Sequence, residues 1–144
     1  MVHAAEIALE SAGFCDLVDI TAQLSDLVRA SGIGSGIVTV FCPGSTGGLT
    51  TIEFEPGLQK DLPELLERIV PSDRSYHHDR TWHDGNGFAH LRSALIGPDL
   101  TVPFTAGKLA LGTWQQVVFL DFDNKARRRR LAVHFLGENL QYFG

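Results

Sequence analysis

A chain of 144 residues, 44% hydrophobic and 20% charged, has the size and composition of one globular domain and is too apolar to stay disordered. Twelve Lys and Arg against seventeen Asp and Glu leave a net charge of −5, which argues against a general nucleic-acid or anionic-membrane binder. A core of this size needs no disulfide or metal to fold. Cys15 and Cys42 belong to no CxxC pair and sit among apolar neighbours, the setting of reduced, buried thiols in a cytosolic protein. The start of the chain lacks a basic and then continuously apolar leader, and no apolar run reaches the ~18–20 residues of a membrane span, so the cytoplasm is the expected location.

In chain order, HAAEIALE (3–10) and FCDLVDI (14–20) read as two short strands around a turn at residues 11–13. Thr21 is the expected N-cap of a helix to about Ala30, with Ile20, Leu24, Leu27 and Val28 as its apolar stripe and Gly32 and Gly34 as its stop. GIVTVFC (36–42) is a β-branched run expected to form a strand buried on both faces, and LTTIEFE (49–55) a further strand. Leu58, Leu62, Leu65, Leu66 and Ile69 predict a helix over 57–70, closed by Pro71.

Residues 72–86 are polar and aperiodic, as expected of an irregular functional or mobile segment, and a short helix is predicted over 87–96. Beyond it LTVPF, KLALG, WQQVVFLDF and RRRRLAVHFLG read as strands, the last two as a hairpin across Asp123-Asn124. Two or three helices on mainly antiparallel sheets predict a compact α+β domain over 1–138. Residues 138–144 (ENLQYFG) contain the residue types of a protease-recognition tag in another order, so residues 139–144 are assigned no function.

Three segments carry the chemistry. Gly44, Ser45, Thr46, Gly47 and Gly48 form either a tight connection between strands or a nest of N–H groups for an anion. This is no Walker loop, since no Gly-Lys-Ser/Thr follows. Four histidines, His77, His78, His83 and His90, lie within fourteen positions without any strong zinc spacing. His90 opens the stretch His90-Leu91-Arg92-Ser93; it is either a helix terminus with an exposed arginine or an imidazole–guanidinium pair suited to acid–base work on a phosphate ester, with Ser93 beside it and Trp82 as an apolar wall. The Arg127–Arg130 run alternates faces in a strand and is expected to be a solvated strand start or a subunit contact. Trp114 is expected in the core or an interface, with Thr113 and Gln115 reaching a cleft.

The ordered set GIVTVFCPGSTGGLTTIE (36–53), LERIVPSD (66–73), HDGNGFAHLRSALIGPDLTVPF (83–104), GKLALGTWQQVVFLDFD (107–123) and RRRRLAVHFLGE (127–138) resembles the YjbQ-type family of secondary thiamine-phosphate-synthase-like proteins. The resemblance implies an α+β homotrimer with a site on the histidines and on the loop after the 36–42 strand. It implies a reaction in which a pyrimidine pyrophosphate loses pyrophosphate and a thiazole-phosphate nitrogen captures the carbon. Gly44 and Phe88 stand where many members have histidine.

On this basis His90, Arg92 and His78 are the expected catalytic residues, and Gly44, Ser45, Thr46, Gly47, Gly48 and Ser93 the anion-binding ones. His78, His83 and His90 are the expected ligands of any divalent metal, while Mg²⁺ would arrive with pyrophosphate. The alternatives are a non-catalytic trimer that binds a phosphorylated metabolite and a metal-dependent hydrolase. All require the 44–48 and 90–92 segments to converge.

Overall fold

The structure is a computed structural model that describes residues 1–139. Its elements are β1 (Val2–Ser11), β2 (Asp16–Asp19), α1 (Thr21–Ser31), β3 (Ile33–Phe41), β4 (Gly47–Ile52), α2 (Pro56–Ile69), α3 (His77–Trp82), α4 (Gly87–Ile96), β5 (Asp99–Thr105), β6 (Lys108–Leu109), β7 (Gln116–Asp121) and β8 (Arg127–Asn139). Five strands form one sheet in the order β1-β8-β3-β5-β6, and three form another in the order β2-β7-β4; every pairing is antiparallel. The α+β class expected from the sequence is therefore the fold.

The two sheets enclose the main core. Val38 and Val40 of β3, Val102 and Phe104 of β5, Leu131, Val133 and Phe135 of β8, and Val117 and Phe119 of β7 meet there, with Leu24 and Val28 of α1 closing one end. Each fully buried Leu, Val or Phe contributes about 1.5–3 kcal/mol, and these contacts dominate the stability. A smaller cluster of Leu66, Phe88, Ala89, Leu120, Phe122 and Cys15 glues α2 and α4 to the outer side of the three-stranded sheet.

Several expectations are corrected. β3 is buried on one face only: Ile37 and Phe41 are exposed, because none of the described residues covers them on the outer side of the five-stranded sheet. Thr21 is the first helical residue of α1 and not its cap; its hydroxyl instead donates to Asp19. The second strand begins at Asp16, since Phe14 (φ 51°) and Cys15 (φ 65°) occupy a turn with Gly13 (φ 74°). The 72–86 segment contains α3, so the described residues hold four helices. β7 and β8 do not pair as a hairpin; residues 122–126 carry the chain from one sheet to the other. Residues 140–144, most of the tag-like stretch, lie outside the described residues.

Candidate functional site

The histidine-bearing segment is organised by Asp79. Its carboxylate accepts from the Tyr76 N–H ahead of α3 and from the Gly87 N–H at the start of α4, both at 2.9 Å. The Tyr76 bond is the main reason the Asp79 carboxyl lies below its ordinary range, helped by the Gly87 bond. Gly87 is required for the close approach of the two helices: a Cβ there would meet Tyr76 Cβ at 2.6 Å. The result brings His78 of α3 against His90 of α4, ring centroids 4.1 Å apart.

Asp84 joins them. Its Oδ1 accepts from the Asn86 N–H at 3.2 Å, and its Oδ2 lies 3.6 Å from His78 Nε2. One ligand atom from each of His78, Asp84 and His90 lies within 4.8 Å of the others. His78 Nε2 is buried and makes no hydrogen bond. Burial, and next the neighbouring His78, push the His90 pKa down, favouring the neutral ring that can ligate a metal. Two imidazoles and one carboxylate, with positions left open, are a donor set for a catalytic Zn²⁺ or for a non-haem transition metal.

His83, expected as the third ligand, is not in this cluster. It is exposed in a left-handed conformation (φ 55°) at the C-terminal end of α3, which directs the chain so that Asp84 takes the place. Arg92 is also elsewhere. Two positions along a helix correspond to about 200° of rotation, so Arg92 faces away from His90. It is buried, donates to the Val70 carbonyl from Nε (3.1 Å) and Nη2 (2.9 Å), and pairs with Glu67 at 2.8 Å. There it ties α4 to the end of α2.

The 44–48 loop and α4 do converge, through a direct contact. Ser93 Oγ donates to the Gly47 carbonyl at 2.6 Å. Gly47 and Gly48 belong to β4, and their lack of side chains serves close packing: a Cβ on Gly47 would meet the Phe119 ring at 2.8 Å, and one on Gly48 would meet Ile96 at 2.9 Å. Gly44 has a positive φ of 143° and Ser45 is exposed, whereas Thr46 is buried in a charged network. The exposed Trp82 and Trp114 form no wall or core; Gln115 reaches Thr51 instead.

That network was not anticipated. Arg129 donates to both oxygens of the fully buried Asp121 at 2.8 Å and to Thr46 Oγ1 at 2.7 Å. Thr46 Oγ1 donates in turn to Asp123 Oδ2 at 3.0 Å, which also accepts from Arg127. Burial alone would raise the Asp121 carboxyl, but bonds from Arg129 and Ser11 hold it below its ordinary value, and the same Asp121 bond raises Arg129. The Phe14 and Cys15 N–H groups donate to the carbonyls of Asp123 (2.7 Å) and Asp121 (2.8 Å), which holds the turn in a conformation costing about 1–3 kcal/mol per strained residue. The parity of Arg127 and Arg129 with Leu131, Val133 and Phe135 marked both as inward-facing; Arg128 and Arg130 pair with Glu10 and Glu6 on the outer face.

A two-sheet α+β domain with a cluster of His78, Asp84 and His90 on its helical side is the class defined by this geometry. The chain belongs to the UPF0047 family, YjbQ-like, whose model matches residues 5–138. A UPF0047 protein of Archaeoglobus fulgidus is 41% identical over 86% of this chain and 94% of its own length. One of Methanothermobacter thermautotrophicus is 38% identical over 95% of this chain and 94% of its own. The crystal structure of a YbjQ-like protein of unknown function from Sulfolobus solfataricus superposes with a TM-score of 0.90 at 33% identity, covering 96% of this chain and 99% of that one. No helix among the described residues is long and apolar enough to cross a membrane.

Proposed function

We propose that this protein is a metal-dependent enzyme acting on a small phosphorylated molecule, with His78, Asp84 and His90 holding a divalent cation. The observation that carries the reading is the three-donor cluster with an orphaned buried nitrogen, His78 Nε2. Buried polar atoms without partners call for a missing ligand. Two imidazoles suit Zn²⁺ or another transition metal better than Mg²⁺, which favours an all-oxygen shell. A cation there would take phosphate oxygens in its open positions and stabilise charge that develops on a leaving group.

Transfer with loss of pyrophosphate, the reaction implied by the resemblance to thiamine-phosphate synthases, is one reaction of this class. Titration calorimetry with Zn²⁺ and Mn²⁺ is expected to show one site per chain, lost in His90→Ala. Incubation of the loaded protein with both thiamine precursors then separates catalysis from binding alone. Absence of divalent-cation binding in the wild-type protein would refute the proposal.

The partner for the bare outer face of the five-stranded sheet is proposed to be further copies of this chain, in a homotrimer. Ile37 pairs with Leu136 on β8 and Pro103 on β5, which forms an exposed apolar cluster, and a row of Thr39, Thr101 and His134 separates it from Phe41. Sedimentation of Ile37→Glu is expected to show dissociation to monomers; an unchanged mass would move the interface elsewhere.

A further inference from the structure

Asp121 and Asp123 lie two residues apart and are equally buried, yet their bonding differs. Asp121 has both oxygens occupied, by Arg129, Ser11 and the Asp123 N–H. Asp123 has only Oδ2 occupied; its Oδ1 is buried and makes no hydrogen bond. A buried carboxylate oxygen left without a donor costs about 1–3 kcal/mol or more, so the arrangement makes sense only with a partner.

The residue after Asp123 is tied to the loop that carries Asp84: the Asn124 N–H donates to Asn86 Oδ1 at 3.1 Å, and Asn124 Nδ2 donates to the Asp84 carbonyl at 2.9 Å. The other buried orphan, His78 Nε2, belongs to the same cluster. Asp123 itself is outside the set of donors within 4.8 Å of one another, too far to share an ion directly with all three.

We propose that Asp123 is the outer carboxylate of this centre: its Oδ1 accepts a hydrogen bond from a water bound to the cation held by His78, Asp84 and His90. The inference rests on the metal-site reading above and adds a fourth residue to it. Asp123 is thus a positioning residue. It neutralises part of the cation's charge, fixes one water in its shell, and leaves the remaining open positions to an anionic substrate. Arg127, Thr46 and the turn at Phe14 and Cys15 hold it in place.

The test compares Mn²⁺ and Zn²⁺ affinity in the wild type, Asp123→Asn and His90→Ala, with unfolding followed in parallel. Loss of an outer-shell partner is expected to weaken the cation about 10–100-fold in Asp123→Asn, beyond any change in folding, since outer-shell groups contribute on that scale. Wild-type affinity in a folded Asp123→Asn protein would overturn the inference while the three-donor site stands. No binding by the wild type would remove both. Because Asp123→Asn also disturbs Arg127 and can fail to fold, a structure of the wild-type protein loaded with Mn²⁺ gives an independent answer. A water joining the ion to Asp123 Oδ1 supports the inference, and an ion whose shell makes no contact with Asp123 overturns it.

Discussion

Arg92→Met separates a structural arginine from a catalytic one. Methionine keeps most of the buried volume and the contact with Phe88, whose ring lies 5.0 Å from the guanidinium. What disappears is polar. The half-buried Val70 carbonyl at the end of α2 loses both its side-chain donors, and an acceptor left without them costs up to about 1–3 kcal/mol. The pair with Glu67 adds less, about 0–1 kcal/mol, because the Glu67 side chain is 47% exposed and is rehydrated when its partner is lost. The expected sum is about 1–4 kcal/mol, or about 3–15 °C in melting temperature for a chain of this length. Urea unfolding monitored by tryptophan fluorescence and by circular dichroism gives the free energy. Cation affinity measured on the same samples should be unchanged. A variant as stable as wild type but deficient in cation or substrate binding would show that Arg92 serves the site and would refute this assignment.

Other perturbations have equally definite outcomes. The Ser72 hydroxyl, and then Arg92, hold Glu67 down at about 2 from an ordinary 4.5, so its contribution is complete above the ordinary value and is lost as pH falls toward the folded one. The stability gap between wild type and Glu67→Gln should therefore shrink from about pH 6 to about pH 3; a gap that widens on acidification would contradict the assignment. Gly47→Ala sets a methyl group against the fully buried Phe119 ring and the Cys42 sulfur at 2.8 and 2.9 Å, and should cost about 1–3 kcal/mol in urea unfolding. A neutral effect would mean that β4 and β7 are less tightly packed than described. Burial pushes the Cys15 thiol to about 11 and raises that of Cys42, so neither should react with an aromatic disulfide at about pH 8 until the chain unfolds. Rapid labelling of the folded protein would show that one of them is open to solvent.

Much of this architecture was legible before any coordinates. Helical spacing located α1 and α2 to within a residue or two, because their apolar stripes are long enough to outweigh local ambiguity, and α4 occupies the 87–96 stretch where a short helix was expected. The aperiodic 72–86 segment read as an irregular functional or mobile stretch, and its helix was hidden. α3 has no apolar face of its own and depends on Asp79, a single carboxylate that ties it to the helix after it.

The cluster of His78, Asp84 and His90 was half visible. His78 and His90 were singled out, whereas the choice between His83 and Asp84 depends on one left-handed residue at a helix end, which no pattern announces. The separation of Arg92 from His90 was available from helical geometry alone. The same holds for Arg129, whose parity with the buried β8 residues places it inward. The passage of the chain between sheets after β7 was not available, since it depends on which strands claim β8 as neighbour.

That choice of neighbours has a bearing on biogenesis. β8 is the last strand in chain order, yet it lies between β1 and β3, matching Val2 to Leu136 on one side and Phe41 to Ala132 on the other. While the polypeptide leaves the ribosome, the first and third strands have a gap between them that stays open until residues 127–139 have emerged. The nascent protein must therefore wait with unpaired edges and an open core, a period during which chaperones or premature self-association compete for it.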